Sequence, residues 1–182
     1  MTMKTYVTSD LHFGHSNIMK FCPENRGHYE DAEHMNESMV QEWNSIVEPG
    51  DTVYILGDVA FMQATKAAHL LKRLNGNKIL VRGNHDTKTL KDSQFRGCFE
   101  SIHDYLEVRY NNTMIVMFHY PIAEWNRMHH GTVHFYGHLH GNPSGLENYR
   151  ARDVGFDATG KIVWLIEDAI VDAMKGEIKS HH

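Results

Sequence analysis

Five short polar blocks each follow directly on a run of β-branched and aliphatic residues, and this pairing constrains the fold more than any other feature of the chain. Asp10 and His12 follow residues 5–9, Asp58 follows 53–56, and Asn84 and His85 follow 78–82. His119 follows 113–118, and His138 and His140 follow 133–136. Short apolar runs of this composition read as buried strands. Between them, Met35, Met39, Trp43 and Ile46 recur at helical spacing over residues 31–47, which end before Pro49 and Gly50. A second helical stripe holds Ala67, Leu70, Leu71 and Leu74, with Gly76 as its stop. Strands alternating with helices predict an α/β chain, and open α/β sheets gather their ligands beyond the carboxyl ends of the strands. Every block falls at such an end.

The second half reads as richer in strand. Residues 106–110 and 113–118 flank Asn111-Asn112, a two-residue hairpin turn, because Asn tolerates left-handed backbone. Residues 162–165 read as one more strand and about 167–175 as a final helix. Glycines at 57, 83 and 137 are expected to let the chain turn sharply at the blocks.

At 182 residues the chain is read as one domain spanning 1–182, with Ser180, His181 and His182 as the start of an expression tag. A formal net charge of −5 argues against a generally basic surface for nucleic acid. Cys22 and Cys98 form no C-x-x-C pair and read as free thiols of a reducing compartment. There is no apolar signal core, and no apolar run nears the roughly 18 residues of a membrane span, so a cytoplasmic location without a membrane partner is expected. Histidine stands out at 15 residues, of which His12, His85, His119, His138 and His140 lie in the blocks.

Asp, Asn and His offer oxygen and imidazole donors that suit borderline divalent metals, and paired metals activate water for attack on phosphorus. The order Asp-x-His, Gly-Asp, Gly-Asn-His-Asp, His, Gly-His-x-His resembles the calcineurin-like metallophosphoesterases over residues 4–166, and is most similar to small phage and bacterial members. Eukaryotic protein phosphatases continue the second block as G-D-x-V-D-R-G. This chain reads Gly57-Asp58-Val59-Ala60-Phe61, which argues against a Ser/Thr protein phosphatase. The resemblance implies a four-layer α/β/β/α sandwich of two facing mixed sheets, the metallophosphoesterase fold, with metals at the rim. It implies Asp10, His12 and His140 on one divalent ion, Asn84, His119 and His138 on a second, and Asp58 bridging both. A shared carboxylate has a physical rationale, since it screens the repulsion of cations about 3.5–4 Å apart. By the same resemblance a hydroxide activated by both ions is the nucleophile. His85 is the general acid, with Asp86 accepting its ring N–H. Mn²⁺ is the expected ion, and the donor set equally admits Fe, Zn, Ni or Co.

Beyond the blocks, His15 either receives a phosphate at a helix start near Ser16 or only packs at that turn. Residues 120–131 join two block-bearing strands and are read as a substrate lip, Trp125 stacking a base and Arg127 or His130 meeting phosphate. The alternative is that Trp125 fills a loop core. Residues 21–31 are read as a loop or lid. The expected activity is hydrolysis of a phosphodiester or nucleotide-type substrate, with a broad phosphomonoesterase or a non-catalytic metal-binding scaffold as alternatives. The expected partner is a small phosphorylated substrate or a nucleic-acid end, with no obligate protein partner.

Overall fold

The structure, a computed structural model, describes residues 2–180, so His181 and His182 lie outside the described residues. In chain order the elements are β1 (Thr5–Thr8), α1 (Ile18–Phe21), α2 (Pro23–Arg26), α3 (Ala32–Ile46), β2 (Thr52–Ile55), α4 (Ala64–Leu71), β3 (Asn77–Val81), α5 (Asp86–Thr89) and α6 (Ser93–Arg96). There follow β4 (Ser101–His103), β5 (Leu106–Tyr110), β6 (Thr113–Met117), β7 (Val133–Tyr136), β8 (Ala151–Asp153), α7 (Phe156–Thr159), β9 (Trp164–Leu165) and α8 (Ile166–Met174). The first sheet runs β4-β3-β2-β1-β9, parallel except for antiparallel β9. The second runs β5-β6-β7-β8, parallel except for antiparallel β5.

Side-chain alternation along the strands makes the layers. Tyr6, Val53, Ile55 and Leu80 face outward from the first sheet and pack with Met35, Met39 and Trp43 of α3 and Ala67, Ala68 and Leu71 of α4. Their neighbours Val7, Leu56 and Val81 face the other way and meet Ile115, Met117, Val133 and Phe135 of the second sheet. Both faces of each sheet are therefore buried, which is why these strands read as nearly continuous apolar runs. The result is a sandwich of two facing mixed sheets with helices, consistent with the expected metallophosphoesterase fold. On the outer face of the second sheet, Val116 and Tyr136 are covered by Trp125, Met128 and Leu146 from the loops and the 3₁₀ turn Met128–His130. Helix α8 inserts Ile166, Ala169 and Ala173 between the sheets.

Local signals explain most boundaries. Asp31 caps α3 by accepting from the His34 amide, satisfying one of the free N–H groups of the first turn. The β5–β6 hairpin turns at Asn111 and Asn112, with Asn111 at φ 52°. Within residues 21–31, read as a loop or lid, α2 forms one turn and its Arg26 is fully buried. Strands β4 and β8 are too short, at three residues each, to carry a periodic signal, and their place is fixed by sheet pairing. Among the described residues, no helix is long and apolar enough to cross a membrane.

His134 on β7 is completely buried, its Nδ1 3.1 Å from the Val116 carbonyl and its Nε2 accepting from the Ile122 amide at 3.2 Å. Both contacts fit the neutral ring, and burial pushes its pKa down to about 4. An unfolded histidine titrates near 6.5, so below that pH the unfolded chain takes a proton that the folded chain refuses. The stabilisation is complete above pH ~6.5 and is lost as pH falls toward 4, by about 3 kcal/mol. Denaturant unfolding of wild type and His134→Asn across this range checks it. The substitution is expected to flatten that part of the profile, and parallel profiles would refute the assignment.

Candidate metal centre

The blocks meet at the carboxyl ends of β1, β2, β3, β6 and β7, where loops from both sheets cross. Close approach dictates the glycines there. Only Gly57 uses the left-handed region, at φ 94°, so the turning role expected for all three glycines holds at that position alone. A Cβ at Gly83 would run into the Asp58 carboxylate, and one at Gly137 into Ser9 and Asp10, so these two supply room. The donor residues themselves take up the turning. Asp10, His12, Asp58, His138 and His140 have φ of 57°, 51°, 54°, 70° and 51°. Non-glycine residues there cost about 1–3 kcal/mol each and persist only where the surroundings enforce them.

Two donor groups result. Asp10, His12 and His140 place one ligand atom each within 4.8 Å of one another, and so do Asp58, His119 and His138. Asn84 joins the second, its Oδ1 3.0 Å from His119 Nε2. Asp58 Oδ2 lies 3.8 Å from His12 Nε2 and 3.6 Å from His119 Nε2, between the groups. All seven residues matched to the family's ligand positions are thus brought together.

Their protein partners leave them poorly satisfied. Asp10 Oδ1 and His12 Nε2 are buried without a hydrogen bond. His119 Nδ1 lies 2.6 Å from the Leu56 carbonyl, which requires the proton on Nδ1. Its Nε2 faces the Asn84 oxygen. Burial works to raise the Asp10 pKa, but His12, His119 and His140 outweigh it and hold it below the usual range. A buried anion, unpaired acceptors and imidazole nitrogens form the environment a divalent cation completes.

Further contacts orient the donors. His140 Nδ1 lies 2.7 Å from Asp157 Oδ2, and Asp157 takes a two-pronged bond from buried Arg26 at 2.6 and 2.9 Å. Arg26 also donates to the carbonyls of Leu11, at 2.8 Å, and Asp10, at 2.6 Å. One guanidinium thus fixes the backbone of the first block and, through Asp157, the ring of His140. Burial lowers the pKa of His140, but the Asp157 bond and Asp10 carry it above the ordinary value. Neither Arg26 nor Asp157 stood out in the sequence, because they are 131 residues apart and neither lies in a block. Cys22, His140 and Asp157 also converge. Of these, Asp157 already has both oxygens engaged by Arg26, and burial lifts the Cys22 thiol to about 11.

Several expectations need correction. Asp86 does not accept the His85 ring N–H. Its fully buried carboxylate accepts from the amides of Asp58, Val59 and Gly83 at 2.8–2.9 Å, clamping the second block to the third. His15 does join the cluster, but as a partner of His12, with their Nδ1 atoms 3.0 Å apart and its ring stacked on Phe61 at 4.1 Å. Burial and His12 push its pKa to about 4, so it stays neutral and is a poor phosphate receptor. Trp125 is no stacking platform: it is buried and donates to the Thr132 carbonyl at 2.8 Å. Arg127 and His130 line a different concavity with Thr113, at the amino end of β6, whereas His119 follows the carboxyl end. The intervening strand alone spans about 13 Å. His85 is half exposed, its Nε2 4.0 Å from Asp58 Oδ2.

Comparison with known proteins places this geometry. The family model "Calcineurin-like phosphoesterase" matches residues 3–114. An uncharacterized protein of Methanocaldococcus jannaschii, MJ1445, is 36% identical over 76% of this chain and 70% of its own length. The Gene 66 protein of Mycobacterium phage L5 is 28% identical over 87% of this chain and 89% of its own. The solved structure of a protein of unknown function from Aquifex aeolicus, AQ665, shares the fold, with a TM-score of 0.71 at 24% identity over 92% of this chain and 97% of that one.

Asp157→Asn is expected to weaken divalent-ion binding roughly 10–100-fold, the usual effect of losing a ligand's anchoring carboxylate. It should also lower stability by about 3 kcal/mol or more, because buried Arg26 loses its counter-charge. Metal titration and denaturant unfolding read both, and unchanged metal affinity would mean that His140 needs no anchor.

Proposed function

The chain belongs to the calcineurin-like phosphoesterase family, metal-dependent hydrolases of phosphoric esters, and from that premise we propose that it cleaves phosphodiester or nucleotide-type substrates with two divalent ions and His85 as general acid. The observation that carries this reading is the position of Asp58 Oδ2, within 3.6–4.0 Å of ring nitrogens from both donor groups and of His85. Asp10, His12 and His140 would hold one ion, Asn84, His119 and His138 the other, and Asp58 would belong to both. Bound there, divalent ions supply a water acidic enough to act near neutral pH and offset charge building on the phosphoryl oxygens. Mn²⁺ is the ion proposed, and Fe, Zn, Ni and Co fit the same donors.

The remaining chemistry belongs to the chain. The His85 amide donates to Asp58 Oδ1 at 2.9 Å, which sets the start of α5 against the centre. Phe61 packs against the His85 ring at 4.4 Å and limits its tilt. Four of the ligands, Asp10, His12, Asp58 and His119, are almost sealed from solvent, while His85 faces outward. A departing alcohol must leave by that side, so a proton on Nε2 is well placed to reach the leaving oxygen. From His85 a groove of about 600 Å³ runs past Phe61, Met62, Lys88 and Lys91. That space accommodates a leaving group larger than a simple alcohol, and its lysines favour one carrying a further phosphate. This supports diesters over monoesters.

In the Mn²⁺-loaded enzyme, bis-p-nitrophenyl phosphate is expected to turn over faster than p-nitrophenyl phosphate. His85→Asn should lower turnover about 10²–10⁴-fold with metal content unchanged. Faster monoester hydrolysis would make the protein a phosphomonoesterase. No turnover of either ester by metal-loaded protein would favour a binding scaffold.

A further inference from the structure

At the amino ends of the parallel strands β6, β7 and β8, opposite the metal centre, lies a second polar concavity of about 270 Å³. Arg109, Arg127, Arg150 and His130 line it, and no carboxylate does. The chain has eight arginines, and Arg26, Arg73, Arg82 and Arg152 each pair with an acid. Arg96 is held by the carbonyls of Leu90 and Lys91. The remaining three are the ones gathered here, and among the described residues none of them pairs with a carboxylate. In a chain of net charge −5, acids were available to neutralise them.

Three guanidinium groups around one hollow repel one another, and nothing in the packing requires them to be cationic. Arg150 is the best anchored: it donates to the carbonyls of Gly131 and Gly176 at 3.4 Å, and its Nη1 lies 3.0 Å from Met174 Sδ. Arg127 stands at φ 58°, a strained left-handed position at the start of the 3₁₀ turn. Arg109 extends from β5 across the hairpin. The fold thus gathers three cationic side chains around one hollow, one of them anchored and two exposed.

We propose that this concavity is a second, non-catalytic anion site that takes a phosphoryl-type oxyanion. Guanidinium forks pair two at a time with the oxygens of carboxylates and phosphates. Three of them offer more donors than one carboxylate can accept, and suit the free oxygens of phosphate, two on a backbone diester and more on a free ion. The site lies beyond the length of β6 from His119, so its occupant is distinct from any ester held at the metal centre. The phosphoryl group is either that of a free phosphate or that of a polynucleotide backbone.

Residue-resolved NMR of the Mg²⁺-loaded protein at low ionic strength tests this, with inorganic phosphate in one arm and a single-stranded decanucleotide in the other. Saturable shifts are expected at the amides of Asn112, Thr113, Gly131 and Thr132 and at the Arg150 Nε–H. Arg109→Gln/Arg127→Gln should weaken them about tenfold or more while leaving responses at residues 83–85 and 137–140 unchanged. Both replaced side chains are exposed and unpaired, and an unaltered unfolding midpoint confirms that the variant folds. Tighter binding of the decanucleotide than of phosphate would identify a nucleic-acid backbone as the source, and the reverse a free ion. Absence of shifts at the concavity in both arms, or wild-type binding by the double variant, overturns the proposal.

Discussion

The structure is governed by one constraint: seven donor side chains from both sheets must converge at one centre, four of them buried, with no lysine or arginine among them. Carboxylates and imidazole lone pairs so arranged repel or go unpaired, and five of the seven donors sit in left-handed backbone. Such an arrangement survives only if the rest of the fold over-determines it. Two buried clamps do so. The Asp86 carboxylate gathers three amides from the second and third blocks, and burial raises its pKa even against those donors. The Arg26 guanidinium binds the first block's carbonyls on one side and Asp157 on the other.

The same constraint explains why two sheets are needed. The first sheet supplies Asp10, His12, Asp58 and Asn84, and the second supplies His119, His138 and His140. The join between them is direct. Asp10 Oδ2 accepts from the His138 amide at 2.8 Å, so a ligand from one sheet fixes the loop carrying ligands of the other. His119 reaches back to the Leu56 carbonyl of the first sheet. Apolar packing of Val7, Leu56 and Val81 on Met117 and Phe135 brings the sheets close enough for these bonds to form. The hydrophobic core positions the metal centre, and metal binding in turn stabilises the strained loops, since binding free energy here is also folding free energy.

What the sequence made legible follows from which interactions are local. Strand runs, the stripe of α3 and the Asn111-Asn112 turn depend on neighbours in sequence, and all could be read there. The donor set was legible because its blocks resemble the family's motif and each falls at a strand end. Arg26 was hidden in a segment read as a loop or lid, because its partner Asp157 is brought near only by the tertiary fold. Asp86 was misassigned because adjacency to His85 suggested an orienting role, whereas α5 turns its carboxylate inward to backbone amides. Trp125 allowed two readings in sequence, base stacking or a loop core, and only the tertiary fold selects the loop core under the second sheet.

The central claim is that these seven donors form one centre for two divalent ions, joined by Asp58. It is tested most directly by counting metal in protein equilibrated with Mn²⁺ and freed of excess, in wild type and Asp58→Ala. Two ions per wild-type chain are expected, and at most one, weakly retained, in the variant. A single ion in wild type, or two held equally well without Asp58, would contradict the shared centre.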